Sequence, residues 1–189
     1  MTKDEFLLKY SLNKRTESLH KYQHHKPLKT AAVLIPLVDD GKQLNVLLTK
    51  RAIHLRHHAG QISFPGGKVE ETDIDLIHTA SRETYEEIGL PPNLIDLVGS
   101  LHSYQVISGF VVTPIIAFIP NNYIFTKDTN EVSEIFQVPL AYFLNTSNHI
   151  SFKVQRKGFS HNVHFMPYKN YNIWGATASM LKDLVVHLQ

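Results

Sequence analysis

The chain has no cysteine among its 189 residues, which excludes disulfides, thiolate metal sites and cysteine nucleophiles. It has no apolar run near the roughly 20 residues that a membrane-spanning helix needs. Its first stretch, MTKDEFLLKYSLNKR, has its few apolar residues broken by charge and does not read as a secretory signal. The last residues, VVHLQ, carry no SKL-type peroxisomal address. Together these absences predict a cytoplasmic protein. A strong charge of one sign is also missing: 19 Lys and Arg face 17 Asp and Glu. No nucleic-acid motif accompanies this mild balance, so nucleic acid is not an expected partner. The basic residues do cluster, in KYQHHKPLK, KRAIHLRHH and QRKGFSH, which reads either as solvated surface or as a site for a polyanion. Oligomeric state has no sequence signal.

What is present reads as one mixed α/β domain, without repeats or linkers. AAVLIPLV (31 to 38) is a dense apolar run, DDGK is a turn signal, and LNVLLTKR follows at 44 to 51. This predicts strand, turn and strand. GQISFPGG (60 to 67) carries a short strand into a Gly-rich loop. A helix is expected from about 74 to 88, with Ile74, Ile77, Ala80 or Ser81, Thr84 and Ile88 as its inward stripe. Thr72 and Asp75 resemble a capping box, and Gly89 with Pro91 and Pro92 supplies the stop. Strands are expected at 95 to 104, 110 to 118 and near 132 to 138, followed by a short helix opened by Pro139. A hairpin of 150 to 156 with 161 to 166 and a closing helix at 176 to 188 complete the chain. Residues 1 to about 27 predict an N-terminal helix carrying Phe6, Leu7 and Tyr10, then a polar lead-in. Trp174 reads as core.

Chemistry concentrates in RETYEE, where Glu83, Glu86 and Glu87 stand at offsets of zero, three and four. Residues so spaced share one helical face as neighbours. Three carboxylates there repel one another, and a hard divalent cation reverses the sign because it takes several oxygen ligands. Arg82 can pair with Glu86 or with a loop acid and hold the array in place. An isolated ExxEE is usually an ordinary charged helix face. FPGG immediately upstream changes that weighting, because two glycines let the backbone come close to a ligand. Such a loop offers a carbonyl to a metal, while the helix start offers N–H groups to a phosphate. The histidines do not read as a zinc site: His24-His25 and His57-His58 are adjacent pairs, not helical i, i+4 pairs.

From Gly67 to Leu90 the chain resembles the Nudix box, G-x5-E-x7-R-E-U-x-E-E-x-G-U with U aliphatic, most closely at RETYEEIGL. It departs from the pattern at three points. Asp73 stands at the first box glutamate, eight residues rather than seven separate it from Arg82, and Thr84 replaces an aliphatic residue. The lengthened box is similar to that of one Nudix branch, the coenzyme A pyrophosphatases. That branch has an upstream signature, LLT-x-R-[S/A]-x3-R-x3-G-x3-FPGG, and LLTKRAIHLRHHAGQISFPGG from Leu47 to Gly67 matches every fixed position.

The resemblance implies a Nudix-type α/β/α sandwich with a mixed β-sheet and a loop-helix catalytic motif. It places the hydrolase domain at 28–189 and a helical extension at 1–27. It implies magnesium or manganese on Glu83, Glu86 and Glu87, with a carbonyl of Gly66 or Gly67 as a further ligand. Arg51 and Arg56 become phosphate-facing groups of a coenzyme A site, which Gly60, Phe64, Gly66 and Gly67 border. Phe64 also reads as a loop-packing residue. For the general base the resemblance points outside the box, and Glu131 is the first candidate, with Glu134 and Asp128 behind it. The implied reaction is hydrolysis of coenzyme A or a derivative to 3′,5′-ADP and 4′-phosphopantetheine or its acyl form. Another nucleoside diphosphate derivative such as ADP-ribose, or a non-catalytic nucleotide sensor, are the alternatives.

Overall fold

The run AAVLIPLV sits at the centre of a sheet because side chains on both of its faces are covered. The computed structural model describes residues 1–13, 27–156 and 159–189. Among these the order is α1 (Lys3–Leu12), β1 (Lys29–Asp39), β2 (Leu44–Arg51), β3 (Ile62–Ser63), β4 (Gly66–Lys68), α2 (Leu76–Ile88), β5 (Asp96–Ser100) and β6 (Tyr104–Val106). Then come β7 (Phe110–Ile119), β8 (Val132–Pro139), α3 (Leu140–Leu144), β9 (Ile150–Arg156), β10 (Phe159–Tyr168), β11 (Tyr171–Trp174) and α4 (Gly175–Leu188).

β1 runs parallel to β7, from Lys29 against Phe110 to Val38 against Ile119. Its other edge is divided. Leu37–Asp39 pair antiparallel with β2, while Ala31–Val33 pair antiparallel with β4. β2 therefore parts from β1 and takes β3 on one side and β8 on the other. β5 and β6 pair with successive stretches of β7, and β9, β10 and β11 form a separate antiparallel sheet. Alternate residues of a strand face opposite ways. Ala32 and Leu34 thus pack with Ala80, Ile115 and Ala117 beneath α2, and Val38 with Leu47, Ile88 and Leu90 at that helix's end. Ala31, Ile35 and Leu37 face the other way, into a core with Phe6 of α1 and Leu181 and Leu184 of α4. The result is a mixed sheet between helical layers, and a two-faced apolar run is what such a sheet requires.

α1 is closed at its start by a capping box between Thr2 and Glu5, and it buries Phe6 completely. Lys9 Nζ donates to Leu188 O at 2.9 Å and Asn13 Nδ2 to His187 O at 2.7 Å. The end of α1 thereby satisfies the last carbonyls of α4, which an α-helix cannot satisfy itself. The rest of the expected N-terminal helix, with His24, His25 and most of KYQHHKPLK, lies outside the described residues.

Several expectations need correction. α2 starts at Leu76, and Asp75 is its N-cap, accepting from the His78 N–H at 2.7 Å. The Thr72–Asp75 box does not form. Ile74 and Ile77 are 85% and 38% exposed, and the inward positions are Thr79, Ala80, Ser81, Thr84, Glu87 and Ile88. Small and hydroxyl-bearing side chains let the helix lie close over β1 and β4, and Thr84 returns its hydroxyl to Ala80 O at 2.6 Å. The stretch 95 to 104 is two strands, with an irregular register between Leu97 and Gly99. Gly66–Lys68 is paired strand rather than open loop. Trp174 is 39% exposed because its neighbour Ile173, at 0%, takes the inward position on β11. It stacks on Phe165 instead.

Candidate active site

Arg82 organises the site. Its Nε and Nη2 grip the Asp73 carboxylate, each bond 2.9 Å long, and Nη2 also reaches Lys68 O at 3.1 Å. Its Nη1 donates to Glu83 Oε1 at 3.1 Å and to Glu86 Oε2 at 3.0 Å. Both partners foreseen for this arginine, the helix glutamate and the loop acid, are therefore engaged together. The Asp73 side chain is covered and also accepts from the Glu70 N–H and the Thr79 hydroxyl, both at 2.9 Å, with the His78 ring nitrogen 3.0 Å away. The Arg82 guanidinium holds the Asp73 carboxyl well below the usual carboxylate range, helped by those donors and opposed by burial. Asp73 in turn raises Arg82 above its ordinary value. Thr79 and His78 carried no sign of this duty in the sequence, because a side chain recruited across a turn leaves no periodic trace.

The glutamates occupy three different environments. Glu86 is the most exposed of the three, its side chain 55% accessible against 16% for Glu83 and 2% for Glu87. Burial raises the Glu83 pKa, with Arg82 opposing. Burial pushes the Glu87 carboxyl up to about 8, while Arg51 and the Gly66 amide pull it down and Glu131 and Glu83 add to the rise. The Glu83 carboxylate lies directly over Gly67, where a β-carbon would collide with it. A β-carbon on Gly66, whose φ is +153°, would collide with the backbone of Ala32 and Val33. The two glycines are thus the floor between β1 and the carboxylates.

Arg51 ends β2, with its Nη1 3.6 Å from Glu87 Oε1. Nothing in the sequence places these two residues together. Gly60, at φ +68°, donates its N–H to Arg51 O at 3.2 Å and closes the intervening loop. Arg56 is exposed on that loop. Phe64 is 2% exposed within the core, so it supports the loop and offers no face to a ligand. Glu131 is exposed, yet close enough to Glu83 and Glu87 to raise the pKa of both. Its carbonyl accepts from Ala52 N–H at 2.8 Å, which ties its loop to Arg51's neighbour. The other base candidates are committed elsewhere: Tyr171 donates its hydroxyl to Glu134, and Asp128 caps Asn130.

As arranged, no three Asp, Glu or His side chains among the described residues converge on one point where an ion would sit. Arg82 holds Glu83 and Glu86 instead. The chemistry nevertheless suits a hard cation: Glu87 Oε2 is a buried carboxyl oxygen without a hydrogen-bond partner, on a helix face that also carries the desolvated Glu83 carboxyl.

The NUDIX domain model matches residues 28–154. The chain is 41% identical to NudL, an uncharacterized Nudix hydrolase of Salmonella dublin, over all of this chain and 95% of that one. Among solved structures, a MutT/nudix family protein from Enterococcus faecalis covers 98% of this chain and 67% of its own, with a TM-score of 0.52 at 15% identity. A C. elegans Ap4A hydrolase binary complex covers 59% and 80%, with a TM-score of 0.51 at 18% identity. These two likenesses are of fold. With the domain match, the sequence identity and the carboxylate helix in agreement, the chain belongs to the Nudix family of pyrophosphohydrolases, which generally use divalent metal ions.

Proposed function

We propose that this protein hydrolyses the diphosphate linkage of coenzyme A or a close derivative, giving 3′,5′-ADP and 4′-phosphopantetheine or its acyl form. One observation carries the reading. The segment from Leu47 to Gly67 is a single structural unit whose two ends meet α2, with Arg51 beside Glu87 and Gly67 beneath Glu83. The upstream signature thus lies against the carboxylate helix at both points, which supports reading the two as one site.

In this reading Glu83 and Glu87 hold magnesium or manganese, Glu86 shares the cluster, and Gly66 or Gly67 adds a carbonyl. When bound, the cation neutralises diphosphate oxygens and makes a bound water more acidic. Glu131 takes a proton from the attacking water, being the one base candidate whose field already reaches Glu83 and Glu87. Arg82 keeps the glutamates in register through Asp73. Arg56, exposed on the loop, faces the nucleotide's phosphates, where a guanidinium makes paired hydrogen bonds. The cell interior is the setting in which such a substrate is met.

The test is chromatography of products after incubation with coenzyme A and magnesium or manganese. Appearance of 3′,5′-ADP supports the assignment. Turnover of ADP-ribose far above that of coenzyme A moves the protein to another Nudix substrate class, and no turnover of either, with nucleotide binding retained, makes it a sensor.

A further inference from the structure

Two atoms of the site are buried without a partner, and both belong to one ion pair. Arg51 Nη1 stands 3.6 Å from Glu87 Oε1, while Arg51 Nε and Glu87 Oε2 make no hydrogen bond at all. Buried polar atoms are nearly always satisfied, and those that are not mark a place where something else binds. One atom here is a donor on a guanidinium and the other an oxygen of a carboxyl group. A cation alone satisfies only the glutamate, and an anion alone satisfies only the arginine. A diphosphate accompanied by its divalent cation satisfies both.

The backbone around Arg51 is built to aim this side chain. The register of β2 against β8 breaks between Lys50 and Arg51, and such bulges redirect a side chain from its strand's ordinary alternation. The Arg51 N–H donates to Gln61 O at 2.9 Å, and its carbonyl accepts from Gly60 N–H and from the Ser133 hydroxyl. Its side chain is only 25% exposed, whereas Arg56 stands in solvent five residues later.

We infer that Arg51 donates its buried Nε–H to an oxygen of the diphosphate being cleaved, and does not serve a remote phosphate of the substrate. The inference rests on the diphosphate-hydrolase reading but not on coenzyme A as substrate. Arg51 and Arg56, equivalent in the motif, then separate into a residue of the reacting centre and a residue of the outer nucleotide.

The experiment pairs kinetics with a binding measurement. Arg51→Gln and Arg51→Lys are assayed on coenzyme A and on 3′-dephospho-coenzyme A. Calorimetry then measures binding of the non-hydrolysable α,β-methylene analogue of ADP in the presence of magnesium. Loss of one charge-assisted hydrogen bond predicts about a ten- to hundredfold fall in kcat/KM, equal on both substrates, and a similar fall in analogue affinity. Arg51→Lys keeps the charge beside Glu87 and hence the fold, checked by an unchanged Tm, but has no Nε–H, so it shows the same losses. A deficit confined to coenzyme A would place Arg51 at the 3′-phosphate and overturn the inference, as would full analogue affinity in Arg51→Lys. If coenzyme A is not a substrate but analogue binding still depends on Arg51, the substrate assignment fails while this inference stands.

Discussion

Replacing Asp73 by asparagine keeps the shape of the group that organises the loop before α2 and removes its charge. Oδ2 accepts from the Glu70 N–H, the Thr79 hydroxyl and Arg82 Nη2, and Oδ1 meets Arg82 Nε and the His78 ring. Oδ2 has three donors, so the new amide nitrogen will take the Oδ1 side, where His78 can accept from it. Arg82 Nε then faces a donor. Removing one partner of a buried ion pair costs about 3–5 kcal/mol. Arg82 retains Glu83 and Glu86, which places the loss near the lower figure, about 3 kcal/mol. For a chain of this size each kcal/mol moves Tm by roughly 2–4 °C, so Asp73→Asn should melt roughly 6–12 °C below wild type at neutral pH. The pH dependence has a definite sign. A carboxyl held below its ordinary value stabilises the fold above the unfolded-state pKa and loses that contribution as pH falls through the folded one. The gap between wild type and variant should therefore be constant from pH 5 to 8 and begin to close only below roughly pH 4. Calorimetric unfolding across that range measures it. A variant as stable as wild type at pH 7, or a gap that closes between pH 5 and 7, would refute Asp73 as the organiser.

Glu83→Gln removes one charge from a crowded helix face. The metal-free protein should melt within a few degrees of wild type, while the Tm gain from magnesium or manganese shrinks and turnover collapses. Unfolding of the metal-free variant would show instead that Glu83 is structural. Gly67→Ala puts a β-carbon where the Glu83 carboxylate lies, so manganese affinity measured by calorimetry should fall along with activity; unchanged affinity would mean that Glu83 need not rest there. Arg56→Ala should lower kcat/KM about ten- to a hundredfold on coenzyme A and less on the 3′-dephospho form, and equal losses would assign Arg56 elsewhere.

What could be read from the sequence depended on whether a residue's duty leaves a local trace. AAVLIPLV announces a two-faced strand because every position is apolar, and RETYEE announces a carboxylate face because helical spacing is fixed. The start of the inward stripe of α2 is illegible for the opposite reason. Ala80, Ser81, Thr84 and Ile88 are buried as the helical spacing predicts, but Thr79 is chosen for size, and hydropathy ranks Ile74 and Ile77 above it although both point outward. FPGG gave notice of a close approach but not of its nature: glycines have no side chains to show alternation, so pairing with Ala31–Val33 left no signal. The meeting of Arg51 with Glu87 depends on where the whole of β2 ends relative to α2, and no window of sequence contains both.

The junction of α1 with α4 bears on the order of events during folding. Lys9 and Leu188 are joined by a hydrogen bond across 179 residues, and Phe6 completes a core that also contains Leu184 and Leu188. α1 thus takes its docking partner from an element that the whole of the main sheet separates from it along the chain. Contacts so distant in the chain form slowly, because loop closure comes before their reward. Until then Phe6 and the apolar side of β1 that it covers stay exposed while the sheet assembles behind them. A chain in which α4 has not yet docked would consequently present that surface to holding chaperones, and docking of α4 would withdraw it.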